Sequence, residues 1–270
     1  MASLISENIK NENSFKNKPF LNILIKSSKF LMKLNIIYQK IYLLFFKKKI
    51  SNDLEKIKIC NGINFNNYKD NFQQNGYIFI ENFLDQDFVG NLKKDWPKKF
   101  FFRPKHQIEK SYDVGFKYLR HYDDVNKIQN FYYLDKFYNF LISKKFSENI
   151  SKLNSDKYNM SCYSISSSIA YGGSCLFPHK DDITVNNKGE LKTISMLNCI
   201  FFIYASPNHH SSGGTSIYKD NEFLEPVFVP SNLINSVLIY KTDKNFFHGF
   251  KEIPKKSFRY AITAQYNQAD

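Results

Sequence analysis

The sequence predicts an α+β fold, mainly β, in which helices brace a core of strands from outside. From Met160 onward, short apolar runs alternate with turns, as in antiparallel β structure. Residues 123–153 combine polar and apolar residues periodically and contain neither Pro nor Gly, so we expect one or two helices there. Together these patterns indicate a double-stranded β-helix, the jelly roll of cupin-like proteins, packed against helices.

The main domain covers residues 59–270, and its strand-rich core covers residues 159–268. Ahead of this core, residues 76–84 alternate in the manner of a strand. Asp85 is then placed to cap a helix that runs to about Trp96, where Pro97 ends it. We therefore expect one strand and one helix to lead into the core.

Residues 1–58 form a basic extension. They hold twelve lysines and four acidic residues, which amounts to +8 of the formal net charge of +13. No aromatic-basic motif accompanies this charge, so we expect no nucleic-acid partner. Residues 51–75 are largely polar and predict a connection between the extension and the main domain.

An amphipathic helical pattern lies within residues 20–49. Leu, Ile and Phe fill one arc, and four lysines share a face: Lys26, Lys29, Lys33 and Lys40. A transmembrane helix needs about 20 apolar residues with few charges, so these lysines argue against one. A secretory signal is also a poor match, because no small-residue cleavage site follows. Two alternatives are left: the apolar face packs on the main domain or a second subunit, or it makes peripheral contact with an anionic membrane.

The four cysteines indicate the kind of cellular compartment in which the protein resides. None of the four forms a C-x-x-C pair, so a zinc site is not expected: Cys60, Cys162, Cys175 and Cys199. They do not indicate a disulfide framework either, so we expect a reducing compartment. The expected location is cytoplasmic, with membrane association if the extension binds lipid. The sequence leaves the oligomeric state open.

Three side chains have the spacing of a metal site. His179 and Asp181 are two residues apart on a predicted strand and therefore point the same way. His248 comes from a second predicted strand that the fold has to bring alongside. Two imidazoles and one carboxylate can hold one face of an octahedral ion and leave the other open, as in non-haem Fe(II) oxygenases.

The residues around this triad extend the pattern. A Ser-rich strand precedes His179, a strongly apolar strand follows Asp181, and an arginine follows His248 at eleven residues. The further motifs are Tyr171-Gly172-Gly173, Ile194–Tyr204, Ser212-Gly213-Gly214-Thr215, Val237–Tyr240, Phe246-Phe247-His248-Gly249 and Ser257–Thr263. In this order they resemble the catalytic core of the 2-oxoglutarate/Fe(II)-dependent dioxygenases, in particular the prolyl-hydroxylase-like and phytanoyl-hydroxylase-like members.

The resemblance implies an activity and its cofactors. His179, Asp181 and His248 would be the catalytic metal ligands for Fe(II), and Arg259 would pair with the distal carboxylate of the co-substrate 2-oxoglutarate. Dioxygen would be the oxidant, and the reaction would be hydroxylation of a small molecule or a side chain with release of succinate and CO2. Tyr171 could add a hydroxyl to the co-substrate site, or it could pack the barrel as an aromatic residue at a strand end.

Some positions depart from the family pattern. Many prolyl-hydroxylase-like members have a tyrosine where Phe202 stands, and members with an Arg-x-Ser pair have a hydroxyl where Ala261 stands. Halogenating relatives lack the carboxylate ligand, so Asp181 argues against that branch. The remaining histidines are expected to be structural or exposed: His106, His121, His209 and His210.

Other classes of protein stay open at this stage. The barrel could be a non-catalytic binding module, or a cupin-type dioxygenase that needs no 2-oxoglutarate. The protein could also be a membrane-surface scaffold in which residues 20–49 are the functional part. The sequence does not identify the substrate.

Overall fold

The structure is a computed structural model. It describes residues 58–98, 103–104, 120–122, 131–154, 160–181, 184–187, 190–193, 196–207, 213–221, 223–242 and 246–268, together with Leu34 and Ile37. The strands are β1 (Tyr77–Glu81), β2 (Arg103–Pro104), β3 (Arg120–Tyr122), β4 (Met160–Tyr171), β5 (Leu176–His179), β6 (Thr184–Asn187), β7 (Glu190–Thr193), β8 (Met196–Ala205), β9 (Ser216–Tyr218), β10 (Pro226–Phe228), β11 (Ser236–Lys241), β12 (Phe247–Phe250) and β13 (Phe258–Gln268). The helices are α1 (Lys69–Asn75), α2 (Gln86–Lys94), α3 (Tyr132–Leu141) and α4 (Lys144–Ser151), with short 3₁₀ turns at Phe65–Tyr68 and Lys152–Asn154.

Two antiparallel sheets face each other. The larger has the strand order β1-β11-β8-β13-β4-β3-β2, and the smaller has the order β10-β9-β12-β5. Side chains of the two sheets meet in the interior, where the ring of Phe79 lies 5.4 Å from that of Phe228. A separate hairpin of β6 and β7 follows β5 and was not predicted. This pairing is the predicted double-stranded β-helix, and the fold class is confirmed.

The larger sheet has two distinct faces because successive side chains of a strand alternate. On β8, Ile200 and Phe202 point into the interior between the sheets, whereas Phe201 and Ile203 join the outer core under the helices. Helix α3 covers this outer face: the Phe137 ring lies 5.1 Å from that of Phe201. The sheet is therefore buried on both faces, and the interior face is the one that carries the site.

The ends of the helices follow local capping chemistry. The Asp85 carboxylate accepts hydrogen bonds from the backbone N–H groups of Asp87 and Phe88 at the start of α2, which confirms the cap predicted there. Ser143 caps α4 in the same way through the N–H of Phe146. A side-chain oxygen that accepts such a bond satisfies one of the free amides of the first turn.

The prediction of a polar connection over residues 51–75 is wrong in its second half. Residues 65–75 form a 3₁₀ turn and helix α1. Phe65 and Phe72 are seven residues apart, which is two helical turns, and both are buried in the outer core. Two apolar residues among Asn, Gln and Lys were too few to signal a helix, but they suffice to anchor one on a sheet.

Most of the basic extension lies outside the described residues, and so do Lys99–Phe102 and residues 105–119 and 123–130. Leu34 and Ile37 are helical, and their side chains are 46% and 54% exposed. The amphipathic pattern over residues 20–49 is otherwise not described. Among the helices that the structure does describe, none is both long enough and apolar enough to span a bilayer.

Candidate metal centre

One imidazole and one carboxylate come from the end of β5, and a second imidazole comes from β12. His179 is the last residue of β5, and His248 lies directly opposite it in the antiparallel pair. Nε2 of His179 is 3.5 Å from Oδ1 of Asp181, and Nε2 of His248 is 3.4 Å from Oδ2. One ligand atom from each residue lies within 4.8 Å of the others. The three residues selected from the sequence are thus brought together.

Gly249 lets the two histidine strands approach each other. A Cβ at this position would collide with the backbone carbonyl oxygen of Leu176, and it would lie 2.8 Å from the backbone nitrogen of Pro178. The rings of His179 and His248 consequently sit with their centroids 4.2 Å apart. Any larger residue at position 249 has to push β12 away from β5.

The two histidines present their Nε2 atoms to the Asp181 carboxylate. Nδ1 of His179 is 2.8 Å from the carbonyl oxygen of Phe177, and a carbonyl only accepts, so Nδ1 carries the proton and Nε2 offers a lone pair. Burial lowers the pKa of His248 to about 4, an effect that His179 reinforces and Asp181 opposes. His248 is therefore suited to act as a neutral ligand at neutral pH, and the hydrogen bond at Nδ1 of His179 leaves its Nε2 facing the same point.

The carboxylate of the triad is ionised. Burial alone would raise the pKa of Asp181, but the interactions with His248 and His179 and the hydrogen bond from Asn198 outweigh it. The pKa of Asp181 consequently lies well below its usual range. A carboxylate and two imidazoles make a donor set that suits a first-row divalent metal such as Fe(II).

Asn198 and Tyr240 belong to this site, and sequence reasoning missed them. Nδ2 of Asn198 donates to Oδ2 of Asp181 at 2.7 Å and to the hydroxyl oxygen of Tyr240 at 3.0 Å. The Tyr240 ring also packs against His248, with centroids 5.0 Å apart. The one available signal was a polar residue, Asn198, in an otherwise apolar stretch of the strand after the triad.

Arg259 lies on β13 with its guanidinium enclosed by aromatic rings. The side chain is only 3% exposed, and Cζ is 4.3 Å from the ring centroid of Phe250 and 5.7 Å from that of Phe202. Nε is buried without a hydrogen-bond partner, and no carboxylate of the described residues pairs with the guanidinium. Burial lowers the pKa of Arg259 to about 9, so the group is still cationic at pH 7. A buried, unpaired cation of this kind calls for an anion.

Phe202 and Ala261 face the same interior as Arg259. They are paired in register across β8 and β13 and belong to the inner cluster. The hydroxyl groups that many family members have at these two positions are therefore absent next to the arginine. Ser168 lies opposite Ala261 on β4, and its hydroxyl donates to the Ala261 carbonyl oxygen at 3.3 Å.

Tyr171 is not brought to Arg259. It pairs with Phe258 across β4 and β13, whereas Arg259 pairs with Ala170, so Tyr171 and Arg259 point to opposite faces of the sheet. The Tyr171 ring packs near Phe258, at 6.3 Å between centroids, against the outer core. Its position corresponds to the packing alternative and not to the co-substrate alternative, because one residue of register moves a side chain to the other face.

Comparisons with known proteins give the architecture a context. No protein-family model and no curated protein matches the sequence. A prolyl hydroxylase from Trichoplax adhaerens, in complex with a hypoxia-inducible-factor oxygen degradation domain peptide fragment, aligns at TM-score 0.56 and 16% identity, over 76% of this chain and 89% of that chain. A Pseudomonas putida prolyl-4-hydroxylase aligns at TM-score 0.56 and 10% identity, over 76% and 100%. A 2OG-Fe(II) oxygenase family oxidoreductase from Burkholderia pseudomallei aligns at TM-score 0.53 and 11% identity, over 78% and 93%.

The chain has the fold of the 2-oxoglutarate/Fe(II) oxygenases. Within this oxygenase fold, the triad and Arg259 project from strands of the two facing sheets into one interior. The remaining histidines do not join them: His106, His209 and His210 lie outside the described residues, and His121 lies on β3, where only its backbone is described, paired with Ser168. What the site does chemically follows from its own side chains.

Proposed function

We propose that this protein is a 2-oxoglutarate- and Fe(II)-dependent dioxygenase that hydroxylates an organic substrate and releases succinate and CO2. The observation that carries the proposal is the pairing of a facial triad with a buried, unpaired arginine in one interior. Neither feature alone is specific, because acids and histidines often cluster and a buried arginine can be structural. Together they provide a metal site with open positions and a separate anion site.

The three ligands fit Fe(II). His179, Asp181 and His248 would hold one face of the ion and leave positions for a co-substrate and for dioxygen. The bound metal would supply the activation of dioxygen that no side chain can perform. The protein's own residues would bind and orient the reactants and keep water out of the interior.

The co-substrate 2-oxoglutarate would connect the two sites. Its C1 carboxylate and C2 ketone suit the open metal positions, and its C5 carboxylate suits the fork of the Arg259 guanidinium. Phe202 and Ala261 provide no hydroxyl there, so we assign a supporting hydrogen bond to Ser168. The Ser168 hydroxyl lies on the same interior wall, and its present bond, at 3.3 Å, is long for a hydroxyl donor.

The substrate is left as a class. Two of the aligned structures are prolyl hydroxylases, and one of them is in complex with a peptide. A proline-containing peptide is therefore the first side-chain substrate to screen, beside small molecules. The interior offers rings at the β1 edge, where Tyr77 lies 5.1 Å from Phe228 and 6.4 Å from Phe246.

We place this activity in residues 59–270. From Ile59 on, the backbone is hydrogen-bonded to the domain, because the N–H of Asp85 donates to the Ile59 carbonyl oxygen and Cys60 forms a β-bridge with Leu84.

For residues 20–49 we propose peripheral contact with an anionic membrane, since the apolar Leu34 and Ile37 are exposed and the lysines lie nearby in the sequence. Flotation with anionic liposomes, with and without residues 1–58, tests this, and equal flotation would contradict it.

The test of the dioxygenase is an anaerobic titration of the protein with Fe(II) and 2-oxoglutarate. We expect a weak visible charge-transfer band in the wild type, and no band in His179→Ala or Arg259→Ala. Lys251→Ala is the matched control, because this exposed lysine follows Phe250 directly and should leave the band unchanged.

Each other outcome points to a different protein. Iron binding without a band would indicate an iron enzyme that does not use 2-oxoglutarate. Failure to bind either would indicate a barrel that serves as a binding module. Formation of succinate from 2-oxoglutarate in air would then separate a working oxygenase from one that only binds the co-substrate.

A further inference from the structure

Asn198 is an unusual residue for its position. It lies on β8 next to buried apolar neighbours, and its side chain is fully buried. Its Oδ1 atom is buried and has no hydrogen-bond partner among the described residues. A buried polar atom without a partner costs free energy, and an apolar residue of the same size would avoid that cost. The presence of the Asn198 amide at this buried position therefore requires an explanation.

The explanation lies in Asp181, because its two carboxylate oxygens have different surroundings. Among the described residues, Oδ1 faces Nε2 of His179 at 3.5 Å, whereas Oδ2 faces Nε2 of His248 at 3.4 Å and also accepts the hydrogen bond from Asn198 at 2.7 Å. The amide cannot be turned over, because Oδ1 of Asn198 would then oppose an ionised carboxylate that can only accept.

Tyr240 holds the amide in this orientation. Its hydroxyl oxygen accepts the second hydrogen of the Asn198 Nδ2 group at 3.0 Å, while its ring packs on His248. The register between β8 and β11 places Tyr240 directly opposite Asn198. Two buried residues on paired strands thus fix a donor next to one particular oxygen of the carboxylate ligand.

We propose that Asn198 is a positioning residue that reserves Oδ2 of Asp181 for a hydrogen bond, so that the carboxylate offers the metal Oδ1 alone. This inference rests on the proposed function, because it concerns the metal positions that 2-oxoglutarate needs. A carboxylate released from the hydrogen bond can take both oxygens to the metal and fill one of those positions. Asn198 thereby keeps the metal open without contacting it.

The experiment compares three variants of the full chain. Asn198→Leu removes the donor and keeps the volume, Tyr240→Phe removes only the second acceptor, and Ile200→Val is the control at the next interior position of β8. Two quantities are measured: Co(II) binding, with its visible d–d spectrum, and 2-oxoglutarate binding to the Co(II)-loaded protein without oxygen. Thermal unfolding establishes that each variant is folded.

We expect Asn198→Leu to bind Co(II) within about threefold of the wild type but 2-oxoglutarate at least about tenfold more weakly. Its Co(II) spectrum should change, because the second carboxylate oxygen would replace a water at one of the open metal positions. Tyr240→Phe should lie between Asn198→Leu and the wild type, and Ile200→Val should match the wild type. A merely structural role for Asn198 would weaken metal and 2-oxoglutarate binding in parallel, and that result overturns the proposal.

The two proposals fail in different ways. If the wild type binds Co(II) but not 2-oxoglutarate, the proposed function is wrong, and the Co(II) spectrum of Asn198→Leu still decides the role of Asn198. An unchanged spectrum refutes the positioning role, and a changed one supports it. If the wild type binds no Co(II), both proposals are wrong.

Discussion

The two ends of the interior differ in whether their charged group has a hydrogen-bond partner among the described residues. At the metal end, Asp181 accepts a hydrogen bond from Asn198, and His179 donates to a backbone carbonyl. At the other end, Arg259 lies among the rings of Phe202 and Phe250, with a buried Nε that has no partner in the described part of the chain.

This difference separates a site that is already assembled from one that awaits its partner. The metal ligands are oriented by hydrogen bonds within the protein, so we expect them to keep their arrangement before metal binds. The rings of Phe202 and Phe250 lie near the guanidinium, and aromatic faces stabilise a cation weakly compared with a carboxylate. We therefore expect an anionic ligand to complete the second site.

The largest effect should come from breaking the assembled end. Asp181→Ala removes the anionic ligand and should lower succinate formation from 2-oxoglutarate on the order of 10³-fold, since a bound metal provides several kcal/mol of transition-state stabilisation. Glu252→Ala, an exposed acid on the loop after β12, is the control. Full turnover by Asp181→Ala would show that the ligand is assigned wrongly.

Acid should destabilise the folded protein at the metal end, because His248 is buried there in its neutral form. Its pKa is about 4 in the folded chain against 6.5 ordinarily, so the unfolded chain takes up the proton first as the pH falls. Stability of the metal-free protein is therefore intact above pH 6.5 and lost between pH 6.5 and 4, by about 3 kcal/mol. Denaturant unfolding against pH checks this, and His248→Gln should show a shallower loss. Parallel curves for the two proteins would contradict the role of His248.

The close approach of β12 to β5 can be tested through Gly249. Gly249→Ala places a methyl group against the backbone of Leu176 and Pro178, and we expect a loss of about 2–3 kcal/mol in the free energy of unfolding. Metal affinity should fall as well, because the two histidines are pushed apart. Gly90→Ala on α2 is a matched control, since a Cβ there meets nothing. Equal stability of the two variants would argue against a tight contact.

At the arginine end, a substitution should stabilise the protein. Arg259→Met replaces an unpaired buried cation by an apolar chain, and we expect the metal-free protein to gain about 1–2 kcal/mol in the free energy of unfolding. The measurement is denaturant unfolding at neutral pH with a chelator present. A marked loss of stability would mean that Arg259 has a structural partner, and the contrast between the two ends would disappear.

The smallest effect is expected at Tyr171. Because this side chain lies on the sheet face opposite Arg259, Tyr171→Phe should leave the KM for 2-oxoglutarate unchanged. A clear rise in KM would show that Tyr171 contacts 2-oxoglutarate and that its side chain lies on the same sheet face as Arg259.

The sequence revealed the groups that carry chemistry, because their spacing is local or their type is rare. His179 and Asp181 follow from the two-residue period of a strand, and Arg259 follows from the resemblance to the 2-oxoglutarate/Fe(II)-dependent dioxygenases, which have a basic residue at about this distance from the second histidine. The jelly roll followed from short strands separated by turns. These features need no knowledge of which strand lies beside which.

The features that could not be predicted from the sequence depend on how the strands are aligned with one another in the sheet. Asn198 and Tyr240 meet only because β8 and β11 pair at that point, although 42 residues separate them. Tyr171 was set beside the co-substrate as one alternative, and a single position along β4 decides its face. Helix α1 was missed because only Phe65 and Phe72 anchor it in a polar stretch.

The most direct test of the account is to compare two ligands that differ only at the far end. 2-Oxovalerate has the same five-carbon chain as 2-oxoglutarate but lacks the distal carboxylate. Their binding to the Mn(II)-loaded protein, measured by calorimetry without oxygen, isolates the contribution of Arg259. A charged hydrogen bond is worth about 1.5–3 kcal/mol, so we expect 2-oxoglutarate to bind roughly 10- to 150-fold more tightly than 2-oxovalerate.

Arg259→Met should remove this preference while leaving Mn(II) affinity and 2-oxovalerate binding unchanged. That result would establish that the metal end is complete in the protein and that the arginine end is completed by the co-substrate. Equal affinities of the two ligands for the wild type would contradict the account, because the buried cation would then have no part in binding.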